Sequence, residues 1–259
     1  MGATSRVTRL LLAAALASAA VAVGLTQANA DQENEQIVGG SRASIADHPY
    51  VVYLATADGF QFCGGTLVDD NKVVTAAHCT VGKKPADIVV VAGREDKESG
   101  AGVASPVKTI WVHPEFTDVR SGGDVSVLTL TQRLPYQPLG LPRKDDTDLY
   151  ASGAPGIILG WGRVASNGQP SRYLLQAGVP VMTDPDCTKA YPAYKKESMV
   201  CAGVPQGGVD SCQGDSGGPL IVNGKLAGIT SWGEGCAAAG KPGVYTRLTA
   251  YRDVLEDQV

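Results

Sequence analysis

Two short stretches carry residue types that could do covalent chemistry. Gly214-Asp215-Ser216-Gly217-Gly218-Pro219 sets a serine among glycines. Such a serine can sit in a sharp turn with its hydroxyl exposed, while the glycines let a substrate backbone approach and leave amide N–H groups free to donate. Alone, this stretch also reads as an ordinary glycine-rich loop, because a free hydroxyl is a poor nucleophile without a neighbouring base. Thr75-Ala76-Ala77-His78-Cys79 offers that base. Imidazole titrates near about 6.5 in solution, so it can take a hydroxyl proton and return it to a leaving amine. The other two histidines, His48 and His113, each precede a proline in loop-like surroundings and read as structural or surface residues. His78 differs, with an apolar run before it and a cysteine directly after it.

The elements that must position these residues read as strands. Short β-branched runs at 50–55, 72–77, 88–92, 107–112, 125–130, 157–160, 177–182, 219–222 and 226–231 alternate with Gly, Pro, Asn and Asp. Asn223-Gly224 is a hairpin-type turn between two of them. This spacing predicts an all-β chain, a sandwich or barrels. Leu248, Tyr251 and Leu255 recur at helical spacing, so a short helix is expected near the C-terminus. Proline-rich residues 134–142 are the candidate linker between two halves.

Composition narrows the class. The chain has 259 residues and a formal net charge of −4, so no global basic field points to nucleic acid. Arg6 and Arg9, an apolar run over 10–25 and Ala28-Asn29-Ala30 have the form of a signal peptide at 1–30, with a membrane anchor as the competing reading. Residues 31–36 (DQENEQ) are short, polar and acidic and read as a propeptide. Export places the six cysteines in an oxidising compartment, where an even number predicts disulfides but leaves their pairing open. No C-x-x-C pair is present and the histidines are scattered, so no metal site is expected.

T-A-A-H-C, D-S-C-Q-G-D-S-G-G-P, S-W-G-x-G-C and P-G-V-Y-T, in this order, resemble the chymotrypsin–trypsin family of serine proteases, and most closely the secreted bacterial trypsins. The resemblance runs from Ile37 to near the C-terminus. It implies two packed antiparallel β-barrels, about 37–137 and 138–259, with the site in the cleft between them. It also implies a Ser-His-Asp triad of Ser216, His78 and an aspartate between them in sequence. Asp124, which opens the run Val125-Ser126-Val127-Leu128, fits that place, and Asp118 is its main rival, with Asp87 and Asp145 further candidates. The oxyanion hole would be the amides of Gly214 and Ser216. Asp215 would pair with a new amino group on Ile37 after removal of the propeptide.

The same resemblance assigns substrate contacts. Asp210, six positions before Ser216, would lie at the floor of the primary pocket and select Arg or Lys. Ser211, Gln213, Ser231, Trp232, Gly233 and Gly243 would complete the substrate-binding set, with Ser231 also structural beside Asp124. The implied disulfides are Cys63–Cys79, Cys187–Cys201 and Cys212–Cys236. The expected protein is a secreted, monomeric endopeptidase acting on proteins or peptides, met by protein inhibitors. It needs no cofactor, binds no nucleic acid and keeps no membrane anchor in its mature form.

Two features depart from the common pattern. Gln36, rather than Lys or Arg, precedes Ile37, so activation should need another protease. Glu95, Asp96 and Glu98 are hard oxygen ligands in a loop where some trypsins bind calcium, although a solvated acidic loop is the reading favoured here. Asp145, Asp146 and Asp148 likewise read as a solvated turn. Two other functions stay open on sequence: a catalytically inactive binding protein on this fold, and a serine protease with non-tryptic specificity.

Overall fold

The computed structural model describes residue 1 and residues 38–259. The expected signal peptide beyond its first residue, the propeptide at 31–36 and Ile37 lie outside the described residues. After a two-residue strand, β1 (Ser41–Arg42), six strands follow: β2 (Val51–Ala55), β3 (Gln61–Asp69), β4 (Lys72–Thr75), β5 (Val89–Ala92), β6 (Val103–Val112) and β7 (Ser126–Leu130). They close into an antiparallel barrel in the order β2-β3-β4-β7-β6-β5. A second group is formed by β8 (Pro155–Gly160), β9 (Leu175–Pro180), β10 (Met199–Ala202), β11 (Pro219–Val222), β12 (Lys225–Trp232) and β13 (Gly243–Arg247). With β1 at its edge this is a seven-stranded sheet, β1-β9-β8-β11-β12-β13-β10. Its ends meet just past β9, where Met182 N–H donates to Cys201 O and Gly203 N–H to Pro180 O, both at 3.0 Å. The sheet therefore rolls toward a second barrel held at that seam by a short contact rather than a full ladder.

The period-two side-chain alternation of a strand explains how the halves pack. Every residue of β2 is buried. Val52 and Leu54 face the core of the first barrel with Leu67, Val74 and Val127. Val51, Tyr53 and Ala55 face the other way, against Leu159, Trp161 and Ile221 of the second sheet. A second core, with Ile158, Val179, Val200, Leu220 and Tyr245, fills the second half. Asn223 and Gly224 both have positive φ, 49° and 71°, and turn β11 into β12.

Near the C-terminus a 3-10 turn (Leu248–Tyr251) runs into α3 (Arg252–Glu256), the third helix after α1 (Ala77–Thr80) and α2 (Asp184–Ala190). Leu248, Tyr251 and Leu255 are buried against the first barrel's core. Thr183 caps α2, its hydroxyl accepting from Asp186 N–H at 3.1 Å. Among the described residues no helix is long and apolar enough to cross a membrane.

One sequence expectation fails here. Asp146 is not a solvated turn residue: its side chain is 3% exposed and lies 2.7 Å from Lys225 Nζ, at the β11–β12 hairpin, and 3.1 Å from Arg143. The Lys225 ammonium, and after it the Arg143 backbone N–H, hold its pKa down to about 2. A carboxyl depressed in the folded state stabilises the fold above its unfolded pKa and loses that contribution as pH falls. The stability lost in Asp146→Asn should therefore be constant above about pH 5 and shrink as pH falls from about 4 toward 2. Thermal melts of both proteins across that range check this, and a gap that widens on acidification would contradict it.

Candidate active site

Asp124 lies at the entry to β7 and is almost fully buried. Its Oδ2 is 2.8 Å from His78 Nδ1 and accepts from Ser231 Oγ at 2.5 Å, while Oδ1 accepts from the backbone N–H of His78 at 2.9 Å. Its own carbonyl accepts from Thr246 Oγ1 at 2.8 Å. The carboxylate thus sits on a seam, with His78 from α1 of the first half and Ser231 and Thr246 from β12 and β13 of the second. An Asp oxygen at Nδ1 places the proton there and leaves Nε2 free to accept another. Asp118 is exposed and caps its own turn, accepting from Arg120 N–H and Ser121 Oγ. Asp87 and Asp145 are also exposed.

Ser216 lies in a turn pinned from both sides. Its carbonyl accepts from Gly64 N–H of β3 at 2.7 Å, and the next amide, Gly217 N–H, donates to Thr230 O of β12 at 2.8 Å. Among the described residues Ser216 Oγ makes no hydrogen bond, the one to His78 Nε2 included, and such contacts commonly tighten only when substrate is bound. The amides of Gly214 and Ser216 donate to no group among the described residues. Gly214 has φ +100°, a conformation that glycine tolerates and other residues do not.

Asp215 points away from Ser216 into the protein. Its Oδ1 accepts from Gly162 N–H at 2.8 Å and its Oδ2 from Cys212 N–H at 3.0 Å. Gly160 and Gly162 make room for it: a Cβ on either would stand 2.1 Å and 2.4 Å from its carboxylate oxygens. Burial pushes its pKa up to about 6 despite the two amide donors. The chain enters beside this loop, since Asp210 N–H donates to Val38 O at 3.3 Å.

A cavity of about 180 Å³ opens at Ser216 and is lined by Asp210, Ser211, Gln213, Ser231, Trp232, Gly233 and Gly243, among others. Asp210 is 3% exposed within it. Its oxygens accept from Ser211 N–H at 2.8 Å and Ala237 N–H at 3.1 Å. Burial raises its pKa to about 6. A Cβ on Gly243 would lie 2.8 Å from Asp210 Oδ1, so the bare backbone there keeps the carboxylate reachable. Disulfides Cys63–Cys79 and Cys212–Cys236 flank His78 and the cavity, and Cys187–Cys201 ties α2 to β10. The arrangement holds a serine, an imidazole with a buried carboxylate behind it, and an anionic slot sized for one side chain. Such a set can run acyl transfer at a carbonyl.

The acidic loop does not form a calcium cage. Glu95 Oε2 accepts from Ile45 N–H at 3.1 Å, Asp96 receives a two-pronged contact from Arg172 at 2.7 and 2.8 Å, and Glu98 lies 2.5 Å from Arg172. Arg172 already neutralises Asp96 and Glu98, and Glu95 is turned to a backbone amide, so these three carboxylates do not fit that ion. Cys63, His78 and Cys79 cluster closely, but both sulfurs are in a disulfide and offer no thiolate to a metal. Sequence reasoning missed Thr246, Arg172 and Gln61, whose carboxamide meets the Gly214 carbonyl. Thr246 closes the P-G-V-Y-T stretch, but nothing in that wording gives it a contact with Asp124, and Arg172 and Gln61 carry no local mark, because each acts across a long sequence separation.

A family model described as Trypsin matches residues 37–255. The chain is 56% identical to a trypsin of Saccharopolyspora erythraea over 223 residues, covering 86% of this chain and 98% of that protein. It is 36% identical to trypsin II-P29 of Gallus gallus, covering 88% and 90%, and 36% identical to trypsin 5G1 of Aedes aegypti, covering 88% and 87%. With this match over most of its length, and with its barrel and rolled sheet, the chain belongs to the trypsin family of serine endopeptidases.

Proposed function

We propose that the protein cleaves polypeptides after Arg or Lys, with Ser216 as nucleophile, His78 as general base and acid, and Asp124 holding the imidazole. The observation that carries the specificity is Asp210, a buried carboxylate in the cavity that opens at Ser216. A guanidinium or ammonium entering that cavity gives the carboxylate its counter-ion, whereas a neutral side chain leaves a buried charge uncompensated. The scissile carbonyl then lies over Ser216. His78 takes the hydroxyl proton as the Ser216 Oγ–carbon bond forms, and the oxyanion that develops faces the amides of Gly214 and Ser216. His78 next protonates the leaving amine, and water hydrolyses the acyl-enzyme by the same steps in reverse order.

The Ile37-Val38-Gly39-Gly40 stretch and the buried Asp215 support an activation step. Cleavage before Ile37 creates an ammonium group, and Asp215 is a buried carboxylate whose hydrogen-bond donors among the described residues are two backbone amides, in a loop beside Val38. Pairing the two offsets the cost of burying the Asp215 charge and locks the loop that carries Gly214 and Ser216. The leader at 1–30 and the three disulfides support export to an oxidising, extracellular setting.

Removing one partner of a buried ion pair costs about 3–5 kcal/mol, so Asp210→Asn should lower kcat/KM for an Arg-amide reporter by about 10²–10⁴. It should leave reaction of Ser216 with a small uncharged acylating reagent nearly unchanged. Equal Arg-amide turnover by both proteins would contradict the assignment.

The bond before Ile37 follows Gln36, which the Asp210 slot does not favour. Purified precursor should therefore stay inactive on standing, and Gln36→Lys should activate itself at a rate that rises with concentration. N-terminal sequencing and activity over time check both, and self-activation of the unaltered precursor would contradict the proposal.

A further inference from the structure

The Gly214 amide must point at the reacting carbonyl, yet glycine at φ +100° has wide conformational freedom. Both peptide planes that meet at Gly214 are anchored by the protein. The preceding carbonyl, Gln213 O, accepts from Arg163 N–H at 2.9 Å. The following carbonyl, Gly214 O, accepts from Gln61 Nε2 at 2.8 Å. Because N–H and C=O are antiparallel in a trans peptide, the first anchor fixes the line of the Gly214 N–H. The second fixes the Cα about which that plane could swing.

Gln61 is itself held. It begins β3, is 8% exposed, and its Oε1 accepts from Lys97 Nζ at 3.0 Å. A carboxamide has one donor end and one acceptor end. Turned over, it would set its oxygen against the Gly214 carbonyl and its NH₂ against an ammonium. Only the observed orientation satisfies both partners. The Lys97 cation also lies near enough to Asp215 to favour its charged form. The first barrel thereby reaches across the cleft to the loop of the second.

We propose that Gln61, oriented by Lys97, is a positioning residue that holds the Gly214 N–H in place for the oxyanion of the reaction. This rests on the assignment of Ser216 as nucleophile above. It concerns the transition state only, since Gln61 does not line the cavity that holds Asp210.

The test compares the Ile37-started enzyme with Gln61→Met and Gln61→Glu, which keep the length of the side chain but cannot donate to the Gly214 carbonyl. Three quantities are read: kcat and KM for an Arg amide, affinity for an arginine aldehyde that forms a tetrahedral adduct on Ser216, and affinity for benzamidine, which uses the cavity alone. Loss of one hydrogen bond should lower kcat and aldehyde affinity together by about five- to tenfold, with KM and benzamidine affinity unchanged. Gln61→Glu keeps a partner for Lys97 and so separates loss of donation from loss of packing; it should fall as far as Gln61→Met. Unchanged kcat and aldehyde affinity in both variants would overturn the proposal, as would an equal fall in benzamidine affinity, which marks a general distortion. No turnover by the unaltered enzyme would instead count against the triad assignment, so the two failures are distinguishable.

Discussion

A single buried carboxylate at the seam between two halves organises this molecule. Asp124 receives the His78 ring, the His78 backbone amide and the Ser231 hydroxyl, and its carbonyl receives Thr246. A carboxylate removed from water is costly unless its lone pairs are filled, and here donors from both halves fill them. The same contacts therefore join barrel to sheet and aim an imidazole. Displacing either half by an ångström would break hydrogen bonds at the point where the proposed chemistry is done.

Two more carboxylates are buried within six residues of Ser216, and among the described residues neither is in an ion pair, although Lys97 lies near enough to Asp215 to act on it at a distance. Asp210 and Asp215 have backbone amides as partners, and burial raises each toward about 6 from 3.8. A carboxyl whose pKa rises on folding adds no cost below its unfolded value and destabilises the fold as pH climbs through its folded value. At neutral pH both sites are thus poised for a cation. In the proposed account Asp215 receives the amine of Ile37 and Asp210 receives the substrate. Burial that weakens the precursor becomes, in turn, the drive for activation and the basis of selectivity.

Much of this was legible in the sequence because the chemistry is local there. Ser216 and its glycines, His78 and its cysteine, and the Asn223-Gly224 turn are contiguous stretches whose residue types carry their own reasons. The expected β-branched runs became strands with shifted ends. β3 was missed since Gly64 and Gly65 dilute its pattern, yet a Cβ on Gly65 would stand 2.8 Å from Val73 Cγ1, so the glycine serves close strand packing. β10 and α2 are short and lacked a clear period. Asp145, Asp146 and Asp148 look alike in sequence, and only Lys225, brought in by the distant hairpin, separates the buried Asp146 from its exposed neighbour Asp145. The acidic loop near Glu95 likewise turned on Arg172, which no local spacing links to it. Gln61 belongs to the same class.

The central claim is that Asp124 makes Ser216 reactive through His78. The most direct measurement is the rate at which a fluorophosphonate labels Ser216 in the Ile37-started enzyme and in Asp124→Asn, with the label located by mass spectrometry. The account predicts labelling at Ser216 that slows by about 10⁴ in the variant, a magnitude taken from the family rather than from this geometry. Comparable rates in the two proteins, or a label on another residue, would contradict it.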